Sequence, residues 1–247
     1  MQIAKLGVIG AGMMGAEIAL VFAMAGKSVM LNDTAQERLD EALKKLSAVL
    51  DTGISRKFWT EEEKLATLAN ISPTTNLQDF SDRQMVIEAV FEDAEVKGQV
   101  FKKLDKILDP NCIVASNTSS ISITVLSANV SEARQKNFVG LHFFSPVHRM
   151  KLVEVINGMD SSAEALEVAT QACKDAGKIP IQVKDVVGFA VNRMLFALWN
   201  EALRLVEEGA CTPEDIDIGC KLGLGHPVGP FELMDLTSNT LNLQVGN

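Results

Sequence analysis

Residues 7–20, "GVIGAGMMGAEIAL", decide the fold of this chain, because an apolar strand pattern changes within them to an apolar helix pattern. Glycines stand at positions 10, 12 and 15, in the spacing G-x-G-x-x-G. Gly10 would permit a tight turn, Gly12 would let the backbone approach a pyrophosphate, and Gly15 would let the helix pack against the strand. The spacing alone is weak evidence for a nucleotide site, since a tight turn from strand to helix already favours glycine.

The pattern on both sides of these glycines is that of a βαβ unit. A buried strand is expected at residues 5–9, a helix at 13–25 and a second strand, "SVMLND", at 28–33. With a strand before the glycines and a helix after them, the spacing favours a dinucleotide site. The diphosphate would lie at the helix N-terminus, where free amides and the helix dipole favour negative charge.

Strands and helices continue to alternate beyond this unit. Residues 34–50 carry a helical stripe of apolar side chains with Gly53 as the expected terminator, and Thr60 with Glu63 forms the capping signal of a shorter helix. Further elements are three strands in "QMVIEAV", "CIVAS" and "FVGLHF", and a helix at 93–108 between the first two. The alternation predicts an α/β protein with a Rossmann-type, mostly parallel sheet covered by helices on both faces.

The pattern changes to helices alone after residue 184. Residues 188–208 are predicted to form one long apolar-rich helix, and Thr212 with Pro213 caps another. The chain is therefore expected to hold two domains: 1–184, with the sheet, and 185–247, a smaller all-helical C-terminal domain.

Composition narrows the classes of protein to which this chain can belong. Its 247 residues are 47% hydrophobic and 22% charged, which is typical of a soluble globular protein. The net charge of -9 argues against a nucleic-acid partner, which needs a basic face. Without a signal peptide or an apolar run near the roughly 20 residues that cross a bilayer, we expect a cytoplasmic protein with no membrane partner. The four cysteines form no C-x-x-C pair, so neither a metal site nor a disulfide framework is indicated.

Asp33 sharpens the expectation for the nucleotide. It ends the second strand, 18 positions after Gly15, where a carboxylate can accept hydrogen bonds from an adenosine ribose. A carboxylate there would repel the 2′-phosphate of NADP, so the pattern favours NAD. The alternative is that Asp33 only caps the following helix, and Thr34 is equally able to do so.

Five later segments carry a resemblance that covers essentially the whole chain. They are, in order, "VIEAVFEDAEVKGQVFKKLD", "ASNTSSISIT", "GLHFFSPVHRMKLVEVI", "DVVGFAVNRML" and "GHPVGPFELMD". Together they resemble the L-3-hydroxyacyl-CoA dehydrogenase family. The resemblance implies NAD as cofactor, an acyl-CoA substrate, and the interconversion of (S)-3-hydroxyacyl-CoA and 3-oxoacyl-CoA in fatty-acid or butyrate-type metabolism. It also implies a homodimer if the helical domain is complete; members of the family continue through several more helices, so that domain is expected to be truncated here.

His142 is the candidate base for the hydroxyl proton. Oxidation of a secondary alcohol needs a base, and imidazole, with a reference pKa of about 6.5, suits that role near neutral pH. Glu154 could take the other ring N–H and stabilise imidazolium, and the resemblance gives the two residues this paired role. The alternatives are a histidine satisfied within the core and a strand glutamate that faces solvent.

Ser119 and Asn192 complete the catalytic set that the resemblance implies. Ser119 is the fourth residue of "SNTSS", where the family places its substrate serine, and Asn192 lies in "VNRM". Their hydroxyl and amide groups could hydrogen-bond the substrate oxygen and thioester. The alternatives are a serine that makes a local turn and an asparagine on a helix surface.

The resemblance also assigns residues to the two ligands. The cofactor would be bound by Gly10, Gly12, Met13, Met14, Gly15, Asp33, Glu92, Lys97 and Ser145. Glu92 and Lys97 alone would be an ordinary acid and base at a helix start. Arg56 and Lys57 lie where the family meets the CoA end of the substrate, although a solvated helix end is an equal interpretation. Ser145 stands where many members have asparagine, and Val187 where the family usually has proline.

Two other functions stay open at this stage. The chain could be a non-catalytic, NAD-binding structural protein, as the lens crystallins that resemble this family illustrate. It could also be a related dehydrogenase of a free hydroxy acid such as carnitine or gulonate. A fold alone does not choose among these functions, because one fold can carry many activities.

Overall fold

The structure is a computed structural model that describes residues 2–237. The chain divides into two compact units, Met1–Asp185 and Val186–Asn247. The strands of the first unit are β1 (Lys5–Ile9), β2 (Ser28–Asn32), β3 (Ile71–Thr74), β4 (Met85–Glu88), β5 (Ile113–Ser116), β6 (Phe138–Phe143), β7 (Leu152–Asn157) and β8 (Ile179–Lys184). Its helices are α1 (Met13–Met24), α2 (Gln36–Ser55), α3 (Glu61–Ala69), α4 (Ala94–Leu104), α5 (Ile123–Ser127), α6 (Glu132–Gln135) and α7 (Ala163–Asp175).

The strands form one sheet in the order β3-β2-β1-β4-β5-β6-β7-β8. Neighbours run parallel except β6 and β7, which are antiparallel. The strand order reverses between β1 and β4, and in sheets of this type a ligand binds beyond the carboxyl ends of the strands at such a point. The predicted α/β class with a Rossmann-type, mostly parallel sheet is confirmed, and the glycine-rich turn after β1 lies at that point.

The central strands of the sheet are buried. β4, β5 and β6 are buried over their whole length, as expected for strands between two helical layers. Helix α1 buries eight of its twelve residues, and its Phe22 ring meets Phe143 of β6 edge to face, with ring centroids 6.3 Å apart. The carboxyl ends of these strands therefore form a stable base for functional side chains.

The hairpin of α2 and α3 corrects one prediction. Gly53 does not end α2, which continues to Ser55. The glycine instead makes room for the ring of Trp59, since a Cβ at position 53 would lie 1.9 Å from that ring. The chain turns at Lys57, whose φ is +61°. The capping signal of α3 is confirmed, since Glu63 N–H donates to Thr60 Oγ1 at 3.1 Å and Thr60 N–H donates to a Glu63 carboxylate oxygen at 2.7 Å.

Two strands, β3 and β8, and three helices, α5, α6 and α7, were not predicted from the sequence. β3 contains Pro73 and two exposed residues, and β8 lies at the edge of the sheet with most of its residues exposed. Neither strand therefore has the apolar run that marked the central strands. Helix α4 also ends at Leu104, four residues before the predicted limit of 108, and it begins after the cap at Asp93.

The second unit is helical in the part that the structure describes. Its helices are α8 (Val191–Glu207), α9 (Pro213–Gly223) and α10 (Pro230–Leu236). The prediction that the first of them begins at residue 188 is wrong, because Gly188 and Phe189 have φ values of +73° and +48°. The cap of α9 at Thr212 is confirmed. The expectation of a truncated helical domain concerns the end of the chain and lies outside the described residues.

Some kinds of site are absent from residues 2–237. No group of three His, Cys, Asp or Glu side chains there could hold a metal ion, and none of the helices described is long and apolar enough to span a membrane. The four cysteines, all within this range, are free. Burial raises the pKa of the Cys112 and Cys173 thiols to about 12, so both are poor nucleophiles.

Candidate active site

The three glycines of the turn after β1 have different surroundings. Gly10 has a φ of +99°, and a Cβ on it would lie 2.6 Å from the Ala89 carbonyl oxygen. A Cβ on Gly15 would lie 1.9 Å from the carbonyl oxygen of Gly10. A Cβ on Gly12, in contrast, would have no atom of the described residues within 4 Å, apart from those of its chain neighbours and its own helix backbone. Two glycines thus serve close packing, and the third leaves open space at the N-terminus of α1.

This open space fits the diphosphate of a dinucleotide. Gly12 is the N-cap of α1 and makes no side-chain cap, and the amides of Met13, Met14 and Gly15 form the first turn, where helix N–H groups have no partner within the helix. Such amides, with the positive end of the helix dipole, favour a phosphate group. Beside them is a cleft of about 220 Å³, lined by Ala11, Gly12, Met13, Ala16, Arg38, Glu41, Ala42 and Lys45.

Asp33 connects the end of β2 to this turn. One carboxylate oxygen accepts the N–H of Ala11 at 2.9 Å, and the other accepts the N–H of Thr34 at 2.8 Å. The interpretation of Asp33 or Thr34 as a helix cap is wrong, because the N-cap of α2 is Ala35 and it has no side-chain cap. The Arg38 guanidinium, 3.8 Å from Asp33, also lies over the Phe91 ring at 5.9 Å. A role of Asp33 toward a ribose stays a prediction.

His142 and Glu154 are brought together by the register of β6 and β7. They are directly opposite each other in this antiparallel pair, so their side chains share one face of the sheet. His142 Nδ1 lies 2.7 Å from a carboxylate oxygen of Glu154, and both side chains are buried. The interpretation of Glu154 as a solvent-facing strand residue is therefore wrong, since its exposure is 0%.

Ser119 reaches the other nitrogen of the same imidazole. Its hydroxyl oxygen lies 3.1 Å from His142 Nε2, and the side chain is only partly buried. It follows β5, which is parallel to β6, so the ends of both strands meet at one edge of the sheet. Asn117 adds a direct link, since its side-chain oxygen accepts the N–H of Phe143 at 3.0 Å. We name Ser119, His142 and Glu154 the catalytic cluster.

Glu92 contacts the loop that carries Ser119, and Lys97 contacts Glu92. Lys97 is fully buried, and its ammonium lies 2.7 Å from a Glu88 oxygen and 3.3 Å from a Glu92 oxygen. The alternative of an ordinary acid and base at a helix start is therefore wrong for Lys97, which is fully buried against two carboxylates. Burial raises the pKa of Glu88 above its ordinary value in spite of the Lys97 ammonium. Burial acts in the same direction on Glu92, but the Lys97 ammonium and hydrogen bonds from the loop lower its pKa overall.

The loop after β6 is attached at two points that the sequence did not reveal. His148 Nδ1 lies 3.2 Å from a carboxylate oxygen of Glu17 in α1. The ammonium of Lys178 donates to the carbonyl oxygens of Val147 and Met150, the latter at 2.9 Å, and burial lowers the pKa of this lysine. Ser145 is exposed on this loop, and its contact with the nicotinamide side stays a prediction.

Three other predicted site residues are not among those that make the contacts described above. Arg56 and Lys57 are exposed at the turn after α2, so they are accessible to an anionic ligand. Asn192 is partly buried in the first turn of α8, in the second unit. Their roles toward the acyl-CoA substrate stay predictions.

Comparison with known families agrees with this geometry. Residues 5–186 match the family described as "3-hydroxyacyl-CoA dehydrogenase, NAD binding domain", and residues 188–247 match its C-terminal domain. The chain belongs to the 3-hydroxyacyl-CoA dehydrogenase family. It is thus an NAD-dependent oxidoreductase, and the resemblance inferred from the five sequence segments is confirmed.

Individual relatives match over nearly the whole chain. The chain is 39% identical over 243 residues to the 3-hydroxybutyryl-CoA dehydrogenase of Clostridioides difficile, covering 98% of this chain and 86% of the relative. It is 42% identical over 236 residues to the probable 3-hydroxybutyryl-CoA dehydrogenase of Deinococcus radiodurans, covering 94% and 82%. The crystal structure of (S)-3-hydroxybutyryl-CoA dehydrogenase from Ralstonia eutropha superposes with a TM-score of 0.95 at 40% identity, covering 99% of this chain and 86% of that one.

Proposed function

We propose that this protein interconverts (S)-3-hydroxyacyl-CoA and 3-oxoacyl-CoA, with His142 as the acid and base of the reaction. The observation that carries this proposal is the chain of contacts from Glu154 through His142 to Ser119, at 2.7 Å and 3.1 Å. In this arrangement the imidazole of His142 has a carboxylate at Nδ1 and the hydroxyl of Ser119 at Nε2. A substrate oxygen can bind next to both Nε2 and this hydroxyl. The names of the relatives support a short-chain substrate such as 3-hydroxybutyryl-CoA.

Glu154 sets the state of the imidazole. Its buried carboxylate accepts Nδ1–H, so Nε2 is the unprotonated nitrogen and can accept the hydroxyl proton of the substrate. Once His142 is protonated at both nitrogens, the same carboxylate stabilises the positive charge. In the direction of reduction the proton returns from Nε2 to the substrate oxygen. The hydroxyl of Ser119 donates a hydrogen bond to that oxygen and orients it toward Nε2.

The residues around the glycine-rich turn fit NAD. The open space at Gly12 and the amides of α1 would hold its diphosphate, and Asp33 would accept a ribose hydroxyl. We keep Glu92, Lys97 and Ser145 as predicted residues of the nicotinamide side. When bound, NAD supplies the nicotinamide ring that accepts or returns the hydride.

The CoA part of the substrate would meet positive charge. We propose that Arg56 and Lys57, both exposed after α2, bind its phosphate groups, and that Asn192 binds the thioester region.

We further propose that the protein is a cytoplasmic homodimer that binds neither nucleic acid nor membrane. Size-exclusion chromatography with light scattering tests the dimer.

The reaction is tested with acetoacetyl-CoA and NADH, by following absorbance at 340 nm. We expect steady oxidation of NADH by the wild-type protein and a loss of about 10²- to 10⁴-fold in kcat for His142→Gln, because the acid–base group is removed. His226→Gln, a histidine change in the second unit, serves as the control and should retain activity.

Two results would refute the proposal. If the wild-type protein binds NADH by calorimetry but turns over no acyl-CoA, it is a non-catalytic NAD-binding protein. If kcat/KM for a free 3-hydroxy acid exceeds that for the CoA thioester, its substrate class is wrong.

A further inference from the structure

The carboxylate of Glu92 collects the hydrogen-bond donors of the Ser119 loop. Its Oε1 atom accepts the backbone N–H of Ser119 at 2.8 Å and that of Ser120 at 3.1 Å. The same atom accepts the hydroxyl of Ser120 at 3.1 Å and the hydroxyl of Thr118 at 2.5 Å. Three consecutive residues of the loop are thus attached to one oxygen atom, and the middle one carries the hydroxyl that contacts His142.

The other oxygen of Glu92 is held from the interior. Its Oε2 atom faces the buried ammonium of Lys97 at 3.3 Å, and the same ammonium binds Glu88 at the end of β4 at 2.7 Å. Glu88 in turn accepts the hydroxyl of Ser116, the last residue of β5, at 2.6 Å. The position of Glu92 is therefore fixed against two central strands, which makes it a firm support for the loop.

Given the function proposed above, on which this role depends, we infer that Glu92 is a positioning residue that holds Ser119 at His142. It acts through the backbone of the loop: with the N–H of Ser119 bound to Glu92, the Ser119 hydroxyl stays within 3.1 Å of His142 Nε2. A direct contact with NAD, as predicted from the sequence, would affect cofactor affinity. A positioning role affects the chemical step, so the two roles can be measured separately.

Glutamine is not a conservative replacement at this site. Oε1 faces only donors, and Oε2 faces the ammonium of Lys97, which is also a donor. An amide at position 92 must therefore direct its NH₂ group at other donors in either orientation. The Glu92→Gln side chain has almost the same volume as the original, so it tests the hydrogen bonds without creating a cavity.

The test is a double-mutant cycle on kcat/KM for acetoacetyl-CoA, with the variants Glu92→Gln, Ser119→Ala and both together. We expect Glu92→Gln to lower kcat/KM by about 10- to 100-fold, the range for a misplaced catalytic group. If Glu92 acts through Ser119, the double variant is no more than about threefold worse than the worse single variant, because coupled residues are not additive. The Kd of NADH, measured for the same variants, reports the contact on the nicotinamide side separately from this coupling. Glu95→Gln, an exposed carboxylate in the first turn of α4, is the matched control.

The opposite pattern overturns the inference. If the losses multiply in the double variant, Glu92 acts independently of Ser119 and the positioning role is wrong, whatever the Kd of NADH. If Glu92→Gln and Glu92→Ala both fail to fold, Glu92 is a structural residue and the inference is also overturned.

A crystal structure of Glu92→Gln gives a measurement that needs no turnover. We expect the distance from Ser119 Oγ to His142 Nε2 to exceed about 3.5 Å, outside hydrogen-bond range. An unchanged distance contradicts the positioning role even if the activity of the variant falls. Absence of turnover by the wild-type protein would instead refute the proposed function, so the two failures are distinguishable.

Discussion

The glycine-rich turn and the catalytic cluster lie at the carboxyl ends of the same sheet but are built in opposite ways. The turn is made of backbone: Gly10 and Gly15 allow close approach of carbonyl groups, and Gly12 leaves open space. The cluster is made of side chains, of which His142 and Glu154 are buried, and its residues come from β6, β7 and the loop after β5. A local motif therefore specifies the first region, whereas strand register and long-range hydrogen bonds specify the second.

The largest effect should follow from the carboxylate of the catalytic cluster. In Glu154→Gln, the amide can donate a hydrogen bond to Nδ1 of His142. This favours the tautomer of His142 that carries its proton on Nε2, and an Nε2 that is already protonated cannot accept a proton from the substrate. We expect kcat to fall by about 10²- to 10⁴-fold, by analogy with the loss of the orienting carboxylate in other catalytic triads. Stopped-flow kinetics should show this loss with an unchanged Kd for NADH. Glu164→Gln, an exposed residue of α7, is the control, and a loss below tenfold would contradict the role of Glu154.

The buried ion pairs behind the cluster should also have a large effect on stability. Lys97→Met leaves two carboxylates, Glu88 and Glu92, without their buried counter-charge, so we expect the free energy of unfolding to fall by about 3–5 kcal/mol. Urea unfolding measures this change. Lys102→Met, an exposed lysine of the same helix, should change the free energy by less than about 0.5 kcal/mol. If the two variants are equally stable, the buried charges are not coupled in the way the distances indicate.

Two alanine substitutions should separate packing from binding in the glycine-rich turn. Gly15→Ala places a Cβ 1.9 Å from the Gly10 carbonyl oxygen, so we expect a loss of about 1–3 kcal/mol in stability. Gly12→Ala causes no clash with the described residues, so stability should be retained while the methyl group occupies the space for the diphosphate. We expect the Kd of NADH to rise about tenfold, or about 1.4 kcal/mol. Thermal unfolding and calorimetry test the pair, and equal effects of both variants on stability would refute this division of roles.

The smallest effect concerns Asp185, which supports the start of α5 beyond the Ser119 loop. Its carboxylate accepts hydrogen bonds from Ser122, Ile123 and Thr124 at 2.7–3.1 Å. Burial raises the pKa of Asp185, but these hydrogen bonds outweigh it and lower the pKa overall. Its stabilising effect is therefore fully present above the unfolded value of about 3.9 and is lost as the pH falls through the lower folded value.

We expect Asp185→Asn to lower Tm at pH 7 by about 2–4 °C, the shift that accompanies about 1 kcal/mol in a chain of this size. The difference from wild type should shrink as the pH falls below about 4. Calorimetry across this range, with the exposed Asp160→Asn as the control, measures it. A difference that grows toward low pH would show that the carboxylate is not the stabilising form.

The features that were predictable from the sequence are those with a local signal. The βαβ unit, the glycines and the capping pair Thr60 and Glu63 follow from short spacings, because turn geometry and helix capping depend on neighbouring residues. The likeness to a known family supplied the pairing of His142 with Glu154. The structure then shows the physical reason for the pairing, which is the register of β6 against β7.

The features that were missed depend on contacts between distant residues. A glycine that follows an apolar helical stripe is typical of a helix end, and this pattern suggested that Gly53 ends the helix. Only its contact with Trp59 shows why a glycine lies inside the helix. Lys97 has the sequence context of a surface residue at a helix start, yet the sheet buries it against Glu88 and Glu92. Neither contact produces a periodic pattern in the sequence, because both depend on how separate elements pack against each other.

Trp59, which packs on Gly53, can also serve as a fluorescent probe of substrate binding. The chain has two tryptophans, Trp59 in the first compact unit and Trp199 in the second. A Trp199→Phe variant would leave one indole, situated two residues after Lys57, where the CoA phosphates are proposed to bind. Its emission spectrum would then record acyl-CoA binding directly, without NADH and without any chemical conversion.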